Sequence, residues 1–387
     1  MLAGLAAGVA AGFVIAGVGL VLFTDITLAE YWGKITSLQF GKAFIPAVLA
    51  VVFFIVSLPL IILVHEAGHL VCGLLTGYKF VSFRIFNWVI IRRGDTFVTR
   101  RFSVAGTGGQ CLLSPPDLPF DMIPTVWYNA GGVLANLALL AAVSLLLVFI
   151  DNPYAIECMV VFLVTDLVIV LINGIPMKAG GVQNDAYNII HLDNSELGKR
   201  SFVLQLRTNA LIQKGVRPKD MPDRWFEWTT DIDFSNAPEV AVPLMHASRL
   251  IDMMEWEEAY AELKELYAHR DLIMGLYVNE IACELAFCSM VTGRPDEASA
   301  LLDNKLLKYV DSYKGVMSGK QRLLCAKALY LDRDRTKAEE ICNNLRYSAY
   351  KYLLQGEVNS DIAIMEWILC CQGDDMQCEC VEGGLMG

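Results

Sequence analysis

The chain has five histidines, and two of them stand four residues apart with a glutamate between, in His65-Glu66-Ala67-Gly68-His69. On a helix, positions i and i+4 share a face, so both imidazoles can reach one zinc ion. Glu66 then stands beside the ion, where it can take a proton from a bound water. The chemistry requires neutral imidazole nitrogens as ligands and a coordination position left open for that water. Such a pentapeptide also recurs by chance, so its setting matters. It directly follows residues 43–64, a stretch without a charged side chain. Ionisable groups inside a bilayer are costly, which makes them a functional hypothesis by default. The alternative is a polar helix end at the membrane surface.

A third ligand is needed. Asn173-Gly174-Ile175-Pro176 closes a later apolar stretch and breaks its helix, because proline cannot donate and glycine loosens the turn before it. Asp185 follows nine residues after Pro176, beyond the flexible Ala179-Gly180-Gly181, and its carboxylate can fold back to the metal. His191 is the rival, with an ordinary surface histidine as its plainer reading.

Four apolar stretches have the length of roughly 20 residues that crossing a bilayer demands. They are residues 1–24, 43–64 continuing through 65–76, 127–150 and 154–172. Only Asp151-Asn152-Pro153 separates the last two, which must therefore be an antiparallel pair. The loop between the second and third carries Lys79, Arg84, Arg92, Arg93, Arg100 and Arg101, and the loop between the third and fourth has no basic residue. By the positive-inside rule the arginine-rich segment is cytoplasmic, and so are both termini. Residues 78–104 also change period, with aromatic and β-branched residues between turn signals at Asn87 and Gly94-Asp95, which predicts β-hairpins.

Composition agrees with a divided chain. Of 387 residues 55% are hydrophobic and 19% charged, which is too apolar for an ordinary soluble protein. Residues 1–187 hold 9 of the 31 Lys and Arg and 10 of the 42 Asp and Glu, leaving a net charge of −10 on residues 188–387. An acidic second half repels phosphate, so no nucleic acid is expected as a partner. The eleven cysteines form no disulfide framework, which suits a reducing compartment, and Cys370, Cys371, Cys378 and Cys380 match no zinc spacing.

Residues 188–244 have weak periodicity and four prolines, and read as a connector. From 245 the pattern becomes helical and repeats: Trp256-Glu257-Glu258-Ala259, Pro295-Asp296-Glu297-Ala298 and Thr336-Lys337-Ala338-Glu339 each open an amphipathic helix. Gly293-Arg294-Pro295-Asp296-Glu297-Ala298 is similar to the turn and second-helix start of tetratricopeptide repeats. Such arrays bind peptides on a concave face or serve as packing alone.

With these residues in view, the chain resembles the site-2 proteases, which cut transmembrane substrates using HExxH in one span and Asn-x-x-Pro…Asp in a later one. The matching residues are His65, Glu66 and His69, then Asn173, Pro176 and Asp185, within about residues 40–190. Gly132-Val133-Leu134-Ala135-Asn136 looks like the family's Gly-Pro-x-x-Asn element, with Val133 in place of its proline; Asp185 precedes Ala186 where the family commonly has Asp-Gly. The resemblance implies an intramembrane zinc metalloendopeptidase acting on single-span membrane proteins or peptides. Zn2+ would be held by His65, His69 and Asp185, with Glu66 as the base. It also implies that Asn136 donates to the scissile carbonyl, against a plain interhelical bond. A β-structure after the HExxH span would dip toward the site, its free edge pairing with unwound substrate. Asp166, mid-span, must point into the bundle and be paired or protonated, and a structural bond to Asn136 or a neighbouring backbone group is expected.

The expected architecture is an α-helical polytopic membrane protein of four spans with a small β-hairpin segment, plus a C-terminal all-α cytoplasmic helical-repeat domain. Its parts are residues 1–187, a connector at 188–244, tetratricopeptide-like helices at 245–375 and a tail at 376–387. The bacterial cell membrane is its expected place, with the lipid bilayer and a cytoplasmic protein held by the repeats as further partners. A catalytically silent scaffold that recruits such a protein is the competing reading, and a metal transporter would need more polar residues along the spans.

Overall fold

The computed structural model describes residues 27, 40–102, 108–179, 182–192, 194–228 and 232–371. The expected first span, residues 1–24, and the tail with Cys378 and Cys380 lie outside the described residues. Among the described residues three helices are long and apolar enough to cross a membrane: Pro46–Leu75, Phe120–Leu147 and Pro153–Gly174. They belong to α1 (Phe40–Leu75), α2 (Thr125–Leu147, entered through a short 3-10 turn at Phe120–Met122) and α3 (Pro153–Gly174). Pro153 opens α3, where its missing N–H costs nothing. Asn152 caps it, its Oδ1 accepting from the N–H groups of Tyr154 at 3.0 Å and Ala155 at 3.1 Å.

Residues 40–58 and 143–165 form one compact unit, and residues 59–142 with 166–371 another. The second unit contains everything that follows.

Between α1 and α2 lies a four-stranded antiparallel sheet of β1 (Lys79–Ile85), β2 (Trp88–Arg93), β3 (Thr96–Arg101) and β4 (Gly109–Ser114), in the order β3-β2-β1-β4. The predicted hairpins are present. The first turn places Phe86 at φ 49 and the second places Gly94 at φ 58, a left-handed position that glycine takes freely. β4 had no signal in the hairpin pattern. It pairs with β1 from Lys79↔Ser114 to Ile85↔Gly109, with a bulge between Phe80 and Ser82. Its Leu113 is buried with Tyr78, Ile123 and Tyr128. Of the six basic residues used to orient the chain, Arg84 is itself buried. Its Nη1 donates to the Phe86 carbonyl at 2.8 Å and its Nη2 to that of Gly109 at 3.1 Å, tying β1 to the start of β4.

After α3 a two-stranded ribbon, β5 (Lys178–Ala179) with β6 (Val182–Gln183), turns the chain into α4 (Asp185–His191). Residues 188–244, expected as a connector, contain α5 (Glu196–Gln213), capped by Ser195 Oγ accepting from the Gly198 N–H at 2.9 Å. Val203 and Leu204 of α5 are fully buried, Val203 within the cluster that holds Tyr78 and Leu113. Eight further helices follow: α6 (Ala237–Met253), α7 (Trp256–Ala268), α8 (Gly275–Val291), α9 (Pro295–Leu301), α10 (Asn304–Tyr313), α11 (Ser318–Ala326), α12 (Arg335–Ser348) and α13 (Gln355–Cys371). The spaced alanines Ala259, Ala298 and Ala338 sit in the opening turns of α7, α9 and α12 and are all fully buried in one hydrophobic core. A larger side chain at any of them would separate neighbouring helices, which explains why the repeat is spelled in alanine. Just before α13, Leu353 buries against Val89 and Ile91 of β2.

Candidate metal centre

His65 and His69 lie on one face of α1, ten and six residues before its end, as their spacing requires. Asp185 opens α4, and the turn at Ile175-Pro176 brings it back to α1. Its Oδ2 is 3.1 Å from His65 Nε2 and 3.3 Å from His69 Nε2, and the two Nε2 atoms are 3.2 Å apart. Among the described residues these three are the group of His, Cys, Asp or Glu whose donor atoms converge closely enough to hold a metal ion.

The hydrogen-bond partners decide what such a triangle can be. His69 Nδ1 lies 2.7 Å from the Tyr128 carbonyl oxygen, which can only accept, so Nδ1 carries the proton. In the neutral ring Nε2 is then a lone pair, and it faces a carboxylate oxygen and a second imidazole nitrogen. Lone pairs turned toward one point are reconciled by a metal cation among them or by a proton on one imidazole shared with Asp185. Four ligands around zinc at bonds of about 2.0–2.1 Å stand about 3.3 Å apart, close to the observed edges. The donor set of two imidazoles and one carboxylate suits zinc and would leave a coordination position open.

Small residues make the approach possible. The backbones of α1 and α2 touch at Gly68 and Gly131: a Cβ on Gly68 would stand 2.1 Å from the Gly131 carbonyl oxygen. One residue on, a Cβ at Gly132 would stand 2.5 Å from both His65 Cε1 and His69 Nε2. The glycine of the Gly-x-x-x-Asn element therefore makes room for the imidazoles.

Glu66 is buried beside the ligands, within electrostatic reach of His65, His69 and Asp185, and accepts from the Cys111 N–H of β4. The Cys111 carbonyl accepts from Tyr128 Oη at 2.7 Å. The outer edge of β4, expected to be free for substrate, is thus engaged at Cys111 by Glu66 and Tyr128. Burial, helped by the Glu66 charge, pushes the Cys111 thiol well above its ordinary range, which makes it inert.

Asn136 and Asp166 are fully buried and face each other, yet neither side chain reaches a hydrogen-bond partner within 3.5 Å. Asn136 nonetheless stands close enough to act on the Asp166 carboxyl, in keeping with the pairing expected between them. His191 does not join the His65, His69 and Asp185 group; its ring lies tilted by 40° against Tyr187 with centroids 4.0 Å apart. Asn173 bonds within its own helix, Nδ2 donating to the Ile169 carbonyl at 3.0 Å.

Two asparagines assigned no role from the sequence hold Asp185 in place. Asn184 Oδ1 accepts from the N–H of Tyr187 at 2.9 Å, capping α4, and from that of Met177 at 3.2 Å. Its Nδ2 donates to the Ile172 and Ile175 carbonyls, both at 2.6 Å, which the end of α3 leaves without intrahelical partners. One side chain thus staples the end of a spanning helix to the residue before Asp185. Asn188 Nδ2 donates to Asn129 Oδ1 at 3.0 Å, fixing α4 against α2. Asparagine followed by a charged first turn is an N-cap signal that marked Asn184; nothing local marked Asn188.

No family model matches the chain, and no curated protein or solved structure matches it significantly.

Proposed function

We propose that this chain is an intramembrane zinc metalloprotease of site-2 protease type, which hydrolyses peptide bonds in or near transmembrane segments. The observation that carries the reading is the convergence of His65 Nε2, His69 Nε2 and Asp185 Oδ2, with the His69 tautomer fixed by the Tyr128 carbonyl and Glu66 alongside. Zinc, when bound, would polarise the scissile carbonyl and acidify a water.

The chain's own groups supply the rest. Tyr128 holds the His69 ring in the tautomer that presents Nε2, as partners of metal-binding imidazoles do. Glu66, steadied by the Cys111 N–H, takes the proton from the attacking water and passes it to the leaving amine. Asn136, buried on the helix that carries Gly132, is the donor proposed for the scissile carbonyl. The sheet stands beside Glu66, so an unwound substrate segment would pass β4 on its way to the base, and pairing with that edge would require it to displace the Glu66 and Tyr128 contacts at Cys111.

We read the arginine-rich sheet and the C-terminal helices as cytoplasmic, and α6–α13 as helical hairpins of tetratricopeptide kind. The test is cleavage of a co-expressed single-span substrate. Glu66→Gln should lower the rate by about 10²–10⁴-fold while zinc still binds. Full activity in that variant would remove the mechanism, and protein that purifies without stoichiometric zinc would favour the silent scaffold.

A further inference from the structure

A cavity of about 310 Å³ opens among α5, α6, α8, α11 and α13. Its ionisable lining is unusual for a helical core. Lys320, fully buried, donates to Glu280 at 2.9 Å; Arg322 pairs with Glu284 and, at 3.1 Å, with Asp361. Two cations thus serve three carboxylates, and a fourth, Glu357, has neither an ion pair nor a hydrogen bond among the described residues. Arg322 is only 5% exposed, and its Nε has no hydrogen-bond partner.

Burying so many charges is costly, and well-packed apolar residues would stabilise the same helices at least as well. Perturbed ionisable groups in a cavity are candidates for ligand contact. Here burial, with Asp361, Glu280 and Glu284 nearby, pushes the Glu357 carboxyl up to about 8 against the opposing charge of Arg322. The remaining wall is apolar, with Phe226, Leu244, Met245 and Met317. Three demands follow: a cation for Glu357, an acceptor oxygen for Arg322 Nε, and an apolar body for the rest.

We propose that this cavity binds a peptide segment in which a basic residue stands beside an apolar one. The ammonium or guanidinium would sit on Glu357, whose carboxyl releases its proton to solvent as the cation binds, a backbone carbonyl would accept from Arg322 Nε, and the apolar side chain would lie against Leu244 and Met245. A free amine shares only the first of these contacts. The volume holds about one side chain with its flanking peptide groups. The site is independent of the metal centre.

The test uses the full chain in detergent carrying Glu66→Gln, so that no probe is cut. A fluorescein-labelled pentapeptide with lysine beside leucine is titrated by anisotropy against the same peptide with norleucine for lysine, and against cadaverine as competitor. The lysine peptide should bind at least about tenfold more tightly than the norleucine peptide. Glu357→Gln should erase that difference, and Leu244→Arg, which places a cation of the chain's own in the cavity, should prevent binding while helix content stays unchanged. No saturable binding, equal affinity for both peptides, unaltered preference in Glu357→Gln, or cadaverine competing as strongly as the unlabelled lysine peptide would each overturn the proposal.

Discussion

Replacing Gly132 by alanine adds a single methyl group to α2, at the point where that helix faces the ligands. The added carbon would stand 2.5 Å from His65 Cε1 and His69 Nε2 and 2.6 Å from His65 Nε2. Carbon contacts are comfortable only beyond about 3.5 Å, so the two rings or the helix must retreat by about 1 Å. The helix cannot retreat easily. α1 and α2 already meet backbone to backbone at Gly68 and Gly131, and the carbonyl that fixes the His69 tautomer belongs to Tyr128, one turn back on α2. The rings must therefore move, which disturbs their convergence with Asp185. Disturbing the groups that aim metal ligands lowers affinity by about 10–100-fold, and a 1 Å misplacement at the reacting atoms costs about 10²-fold in rate. The assay is zinc content across a series of chelator-buffered zinc concentrations, with cleavage of a co-reconstituted single-span substrate measured in parallel. Gly275→Ala serves as control, because a Cβ there meets nothing within 4 Å. Wild-type zinc affinity and cleavage in Gly132→Ala would refute the close-approach argument.

Asn184→Ala should reduce stability by about 1 kcal/mol through the lost cap and weaken zinc binding as Asp185 loosens; Asn184→Asp, which keeps the cap but not the donors to Ile172 and Ile175, should recover part of both, and equal behaviour of the two variants in melting and metal titration would contradict the stapling role. Treatment with a zinc chelator should abolish cleavage and added zinc should restore it, whereas activity that survives chelation with no metal left by elemental analysis would end the metalloprotease reading. The Glu357 carboxyl, raised to about 8, keeps its proton in the folded chain after the unfolded chain has lost it near its ordinary 4.5. Stability should therefore fall as pH rises from about 4.5 to about 8. Glu357→Gln should melt later than wild type at pH 8 and alongside it at pH 4.5, and an unchanged pH dependence in that variant would count against the assignment.

The reach of local sequence rules is visible residue by residue. Hydropathy located the three described spans within a few residues, because crossing a bilayer is a matter of length and apolarity alone. The i, i+4 spacing placed His65 and His69 on one face, because helix geometry needs no tertiary partner. The turns at Asn87 and Gly94 were marked by their residue types. β4 was not, because Gly109–Ser114 is made a strand by pairing with β1 rather than by any alternation of its own. α5 was hidden for a related reason: residues on either side of the helix are buried, some against the sheet and some against later helices, so no single polar face shows.

What the amino-acid order determined alone is the chemistry on offer: two imidazoles and a glutamate on one helix within a long apolar stretch, and a carboxylate after a helix-breaking proline. Only the tertiary structure brought Asp185 rather than His191 beside the two imidazoles, engaged the β4 edge at Cys111, and set Asn136 against Asp166. Spacing along a helix fixes neighbours three and four residues away. Partners separated by 120 residues, such as His65 and Asp185, meet only because Gly68, Gly131 and Gly132 let two backbones touch and Asn184 fastens the returning chain.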